Sequence, residues 1–360
     1  MAQQLRSSNN NNNKASASFL LVGHQYVSSV WYEMIWSIIE GTLTMMLYPL
    51  CLFVGVASFL FYHLIKKKGK ELFKFNANPY CGYETIFLNG ASSGIGKSIA
   101  LELARNFAKR KNQKKFTLTI SGRKQQALEE VKQECLDIIK KESNHPEEDY
   151  EINIRLCDVT DAEKVKELIH ELDYDLVIAN AGVSLFQMLD PSKKYTSLEK
   201  VKVDFECWET NMTGCTNVVF PALENMMEQN EKGNCKRRHI VLTSSGTGYF
   251  PEMGLYPVAK AALISMGRTL RAKLDNSKTH SNIRVSVFVP GWVSTNMAES
   301  FPQKGAQVGM ISSEEAARLA CSGIEHDLEL IDICGFWGVI LRVLLKFPYT
   351  LSSALIRMII

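Results

Sequence analysis

The chain has 360 residues, 46% of them hydrophobic, enough to bury the core of one large domain or two small ones. Its net charge of +3, from 41 basic and 38 acidic residues, gives no electrostatic case for a nucleic-acid partner. Nine scattered cysteines form no C-x-x-C pair and no Cys/His cluster at zinc spacing, which points to a reduced, cytosol-facing domain without metal.

The chain opens on a polar stretch to about Ser18 that includes the asparagine run Asn9 to Asn13. Such a composition does not offset the entropy of ordering, so residues 1–41 are expected to form a disordered tail. From Thr42 to Ile65 there is no formally charged residue, and as a helix this segment is long enough to cross about 30 Å of hydrocarbon. Lys66, Lys67, Lys68 and Lys70 follow at once, whereas no Lys or Arg lies between Lys14 and the span. The positive-inside rule then keeps the following domain cytosolic and the amino terminus lumenal, as a single-pass anchor. A cleaved signal peptide would be shorter and nearer the start. Glu40 and Pro49 leave a hydrophobic hairpin or interfacial helix open.

Beyond Glu84, short apolar runs alternate with helical ones. TIFLNG precedes a helix through Ile99 to Ala108, and FTLTIS precedes one from Leu128 to Ile139. INIRLCDV leads to Val165–Leu172, and LVIAN to a long helix around Asn211 to Met227. HIVLTSS leads to Lys260–Leu274, and RVSVFVPG follows. Apolar strands without alternation, separated by helices, specify an α/β fold: a doubly wound parallel sheet of Rossmann type covered on both faces. The tail from Leu328 to Ile360 is apolar but broken by Asp332, Arg342, Lys346 and Arg357, which suits a membrane-surface segment or a cap over the substrate mouth.

Between the first strand and the first helix stands Gly90-Ala91-Ser92-Ser93-Gly94-Ile95-Gly96. Glycines there let backbone approach a pyrophosphate, and the helix amino terminus offers unpaired N–H groups and a favourable dipole. The second strand ends at Gly122-Arg123-Lys124 with no acidic residue to accept from a ribose 2′-hydroxyl. The planar fork of Arg123 suits a 2′-phosphate, so NADP(H) is the expected cofactor. Tyr256 and Lys260 lie one helical turn apart, on one helix face. A phenol near neutrality needs a positive neighbour to act as a proton donor and acceptor, and Lys260 supplies one. Pro257 fits the first turn of a helix, which puts Tyr256 at its start.

The ordered set of Gly90 to Gly96, Asn180-Ala181-Gly182, Asn211, Ser244-Ser245 and Tyr256 with Lys260 resembles the classical short-chain dehydrogenase/reductase family over about Glu84 to Ile324. Two departures are Asn89, where the family usually has Thr, and Ala179, where another Asn is common. The resemblance implies that a serine binds the substrate carbonyl, that Tyr256 donates the proton, that Lys260 also holds the nicotinamide ribose, and that Asn211 orders a water relay. Ser245 and Ser244 are both candidates for the serine. It further implies that Asp158 and Val159 contact adenine, that Asn180, Ala181 and Gly182 line the riboses, and that the segment of Pro290, Gly291, Val293 and Thr295 passes the nicotinamide. Asn296 to Ile311 would then form the substrate lid.

The anchor and the segment after the domain are similar to the membrane-anchored branch of that family, of the SDR family member 7 type. That similarity implies an endoplasmic-reticulum enzyme acting on a lipophilic ketone or secondary alcohol of steroid or retinoid kind, with membrane lipid as a partner and a homodimer as the usual assembly. Reduction of 3-ketodihydrosphingosine or of a 3-oxoacyl thioester, and a non-catalytic membrane scaffold, remain as rivals.

Overall fold

The computed structural model describes residues 82–110, 115–143, 145–251, 254–301 and 309–334, together with Thr42. The strands are β1 (Thr85–Asn89), β2 (Phe116–Gly122), β3 (Tyr150–Leu156), β4 (Leu176–Ala179), β5 (Arg238–Thr243), β6 (Ile283–Val289) and β7 (Leu330–Asp332). All pair in parallel, in the order β3-β2-β1-β4-β5-β6-β7. The helices are α1 (Gly94–Ala108), α2 (Gln125–Glu142), α3 (Ala162–His170), α4 (Leu185–Met188), α5 (Ser197–Trp208), α6 (Gly214–Glu231), α7 (Leu255–Asp275), α8 (Asn296–Glu299) and α9 (Ser313–Glu325).

The expected doubly wound sheet is present, and its burial explains why the strands show no alternation. β4 and β5 are buried along their whole length. Successive residues of β1 feed opposite cores: Ile86 and Leu88 pack with Leu103, Phe107 and Leu128 on one face, while Phe87 packs with Val165, Val218 and Leu263 on the other. A strand covered on both faces has no solvated side on which to place polar residues.

The elements depart from the expected list in several places, two of which bear on the site; the helices Leu185–Met188 and Ser313–Glu325 are further additions. The helix around Asn211 is three pieces in one, with a π-helical turn at Glu209–Thr213 between α5 and α6. The sheet also runs past Ile324, because Leu330–Asp332 pairs with β6 through Val287, Phe288 and Val289. A three-residue strand ending in aspartate carries no periodic signal, and only the neighbouring strand defines it. The expected tail of residues 1–41, the rest of the span from Thr42 to Ile65 and the segment from 335 onward lie outside the described residues. Among the described residues no helix is long and apolar enough to cross a membrane.

The order of strands reverses between β1 and β4, and in such sheets the crevice at that reversal is where ligands bind. Asn89, buried at the end of β1, closes the gap there: its Oδ1 accepts from the backbone N–H of Asn180 at 2.6 Å and of Ala181 at 2.9 Å. Asn89→Ala would leave two backbone donors unpaired, so it is expected to cost about 1–3 kcal/mol, with Asn89→Thr restoring most of the loss. Urea denaturation checks this, and an unchanged midpoint for Asn89→Ala would remove Asn89 from that role.

Candidate functional site

The glycine turn is built by contacts that exclude side chains. Gly90 has φ +67°, and a Cβ there would stand 2.6 Å from the Ala181 Cα. At Gly96 a Cβ would collide with the Gly90 carbonyl, which also accepts from the Asn180 Nδ2 at 3.1 Å. The turn from β1 is therefore pressed onto the end of β4, and Asn180, Ala181 and Gly182 lie beside it. Ser93 is the N-cap of α1 and is exposed, yet its side chain makes no capping bond. Ser92 lies against Gly122 at the end of β2, and Ile95 packs against the core. The first turn of α1 carries no acidic residue, so its leading N–H groups suit a phosphate.

Arg123 and Asp158 stand at the ends of β2 and β3, away from Tyr256, and meet each other at 3.5 Å with both side chains largely in solvent. Burial opposes the Asp158 charge, but hydrogen bonds from Thr160 and the nearby guanidinium outweigh it and hold the carboxyl below its ordinary value. Val159 is buried against Gly214, and its carbonyl accepts from the Asn217 Nδ2 at 2.8 Å.

Four of the expected catalytic residues converge. α7 starts at Leu255, so Tyr256 lies in its first turn as expected, after Gly254 at φ +135°. The Ser245 side chain lies near enough to the Tyr256 hydroxyl to lower its pKa, and the Tyr256 Oη lies 3.9 Å from the Met297 Sδ. Ser244 is committed elsewhere, its Oγ donating to the Lys260 carbonyl at 2.6 Å. The geometry therefore separates the two serines: Ser245 faces the phenol and Ser244 fastens β5 to α7.

Lys260 is 3% exposed, and its Nζ donates to the Thr243 carbonyl at 3.0 Å and lies 5.5 Å from the Tyr256 ring centroid. Among the described residues no carboxylate pairs with it, and burial pulls its pKa down to about 8. The thiols near it, Cys207 and Cys215, are pushed by burial to about 11 and about 12, so they remain neutral and offer no counter-charge. Tyr256 is itself pushed up to about 12 by burial, against the lowering effect of Ser245.

Asn211 lies inside the π-helical turn and is fully buried. Its Nδ2 donates to the carbonyls of Val183 at 2.7 Å and Cys207 at 2.8 Å, while its Oδ1 has no partner among the described residues. Both that oxygen and the Lys260 ammonium lie against Gly182, where a Cβ would meet them at 2.6 and 3.3 Å. Widening the helix by one residue per turn displaces Asn211 from the regular helical row, a recurrent device at functional sites.

The segment after β6 returns across the site. The Pro290 carbonyl accepts from the Gly246 N–H at 2.8 Å, beside Ser245, and Gly291 packs on Cys334 just past β7. Val293 bridges to Ile311, and the Thr295 methyl lies over Gly94. Thr295 also caps α8, which presents Met297. Sequence reasoning missed Met297 and the bracing role of Cys334, because a lone methionine or cysteine carries no pattern. Among the described residues no three His, Cys, Asp or Glu side chains converge as a metal site.

Residues 84–306 match the sequence pattern of the short chain dehydrogenase family. Dehydrogenase/reductase SDR family member 7B of Mus musculus is 25% identical over 260 residues, covering 71% of this chain and 72% of that protein. The 11-beta-hydroxysteroid dehydrogenase-like 2 protein of Arabidopsis thaliana is 26% identical, covering 66% and 68%. A short-chain dehydrogenase from Sphingobium yanoikuyae, solved in complex with NADPH, shares the fold with a TM-score of 0.53 at 19% identity, over 69% of this chain and 86% of that one. A match spanning more than half of the sequence, on a seven-stranded sheet of this order, settles the classification: the chain belongs to the short-chain dehydrogenase/reductase family and is an oxidoreductase of the alcohol–carbonyl couple.

Proposed function

We propose that the protein is an NADP(H)-dependent oxidoreductase that interconverts a lipophilic ketone and its secondary alcohol, anchored in the endoplasmic-reticulum membrane with its catalytic domain in the cytosol. The observation that carries the reading is the convergence of Ser245, Tyr256 and Lys260 at the end of β5, beside the glycine turn. The anchor rests on the uncharged span from Thr42 to Ile65 and the lysines after it. Similarity to an 11-beta-hydroxysteroid dehydrogenase-like protein supports a lipophilic substrate.

The chain fits a dinucleotide. Gly90, Gly94, Gly96 and the exposed N-cap Ser93 would hold its pyrophosphate, Arg123 a 2′-phosphate, and Lys260, Asn180 and the Pro290–Thr295 segment its nicotinamide half. Bound there, reduced nicotinamide supplies the hydride for a carbonyl carbon. In that direction Ser245 and Tyr256 hydrogen-bond the carbonyl oxygen, and the Tyr256 phenol gives up its proton as the alcohol forms. Burial pushes the phenol up to about 12, so Tyr256 is protonated at neutral pH but is a weak acid until a positive charge beside it stabilises the phenolate. The charge left on its oxygen is stabilised by the Lys260 ammonium, which the surroundings leave without any other anion. The unpartnered Oδ1 of Asn211 beside Gly182 offers an acceptor for the water or hydroxyl that returns a proton to the site.

Three measurements test the reading. With detergent-solubilised full-length protein, NADPH oxidation is followed against steroid ketones, retinal, 3-ketodihydrosphingosine and a long-chain 3-oxoacyl-CoA. Tyr256→Phe is expected to lower kcat by about a thousandfold while NADPH affinity stays the same, and retained turnover would remove Tyr256 as the proton donor. Arg123→Asp is expected to shift the ratio of kcat/KM for NADPH over NADH by about ten- to a hundredfold toward NADH. An unmoved ratio would take the 2′-phosphate contact away from Arg123.

The third concerns Lys260 in the absence of cofactor. Its folded pKa, about 8, lies below the ordinary 10.5, so between those values the unfolded chain binds more protons and stability rises with pH. Compared with Lys260→Met, the wild type is expected to gain stability as pH rises from about 8 to about 10. Urea midpoints at several pH values read this directly, and parallel curves would show that the ammonium carries no burial cost.

A further inference from the structure

Three aromatic rings from two separate parts of the chain pack together, two of them on the loop that carries Met297 to Tyr256. Phe186 lies in α4, four residues beyond Gly182, whereas Trp292 and Phe301 flank α8 on the returning segment after β6. Phe301 is the middle ring, 4.7 Å from Phe186 at 69° and 5.2 Å from Trp292 at 77° between centroids and planes. Both are edge-to-face pairs, the geometry that ring quadrupoles favour. The rings therefore tie the segment after β4 to the segment after β6. Between Trp292 and Phe301, the same loop sets the Met297 thioether against the Tyr256 hydroxyl.

We propose that Phe186, Trp292 and Phe301 are the specificity-determining wall of the substrate site, receiving a flat apolar group of the ketone while its carbonyl oxygen takes the place of the Met297 sulfur at Tyr256. This rests on the reading of the protein as a ketone reductase and narrows its substrate class to ring-bearing ketones. A thioether is a weak acceptor, so a carbonyl oxygen is the better partner for the phenol. An unbranched methionine also withdraws readily, since it can adopt other rotamers. Phe186 keeps 37% of its surface exposed although it already packs on Phe301, and Trp292, Met297 and Phe301 are only half-buried. That leaves apolar ring surface available on the loop that brings Met297 to the proton donor.

The experiment compares 2-acetonaphthone with 2-butanone as substrates of the full-length protein with NADPH. Wild type is expected to prefer the naphthyl ketone in kcat/KM. Phe301→Ala lowers that preference by about tenfold or more, through KM rather than kcat. Phe301→Tyr, which retains the ring, keeps the preference, and Phe301→Leu serves as the milder variant if the alanine form fails to fold. Phe186→Ala lowers the same preference, and the double variant with Phe301→Ala falls no further than the greater of the two, because each removes the same pair. An unchanged preference in a folded Phe301→Ala or Phe301→Leu protein, or equal losses on both ketones, overturns the wall. Turnover of neither ketone by wild type with NADPH bound overturns the ketone-reductase reading, and the proposal with it. Turnover of both without discrimination leaves that reading standing and overturns only the wall.

Discussion

The ammonium of Lys260 is held inside the protein with, among the described residues, one carbonyl for a hydrogen-bond partner, and the rest of the site is organised around that unfavourable placement. A buried cation ordinarily acquires a carboxylate, and one here would neutralise the charge that a phenolate at Tyr256 needs. The chain instead surrounds the ammonium with neutral groups: the Thr243 carbonyl, the Asn211 amide and two cysteines whose thiols burial keeps protonated. The cost falls on stability, and the gain is a charge that only reaction chemistry or a bound ligand can satisfy.

Holding such a group in place requires a rigid frame on every side. The bond from Ser244 to the Lys260 carbonyl fastens α7 to the end of β5, tying the lysine backbone to the strand that carries Thr243. Gly248 packs directly on the backbone of Lys260 and Ala261, which only a residue without a side chain permits. On the far side, the aspartate that ends β7 accepts from the Tyr249 hydroxyl at 2.5 Å, and Cys334 sits against Gly246 and Gly291. The short seventh strand thus braces the Ser245 loop and the Pro290 segment together. A strand of three residues contributes little to the core, but it occupies the place where the returning segment needs support.

Much of this was legible in the sequence, and the legible parts share a cause. Strands such as Leu176–Ala179 are buried on both faces, so their unbroken apolar runs announce a parallel sheet. Gly90 and Gly96 are readable because backbone packs where a Cβ would stand. The choice between Ser244 and Ser245 was not readable, since adjacent residues of one type differ only in which way the strand turns them. β7, the π-helical turn and Met297 escaped for a related reason: each is defined by what it packs against, and no periodicity or spacing records a neighbour distant in sequence. Asn89 is intermediate. It breaks the usual family residue, yet its side chain performs a strand-end bond that the position demands.

The placement of polar groups also constrains what can enter. The polar atoms near Tyr256 come from the end of β5 and the residues just after it, from the π-helical turn before α6 and from α7, whereas the returning segment contributes Trp292, Met297 and Phe301. A ligand that reaches the phenol must lose water along that approach, and an apolar body loses little by doing so. Dehydrating the same path strengthens the interaction between the Lys260 charge and the Tyr256 oxygen, because both are then screened less. The apolar side chains of the returning segment and the Lys260 ammonium therefore act on one quantity. The first would exclude solvent that weakens the second, and among the described residues no carboxylate competes for that charge.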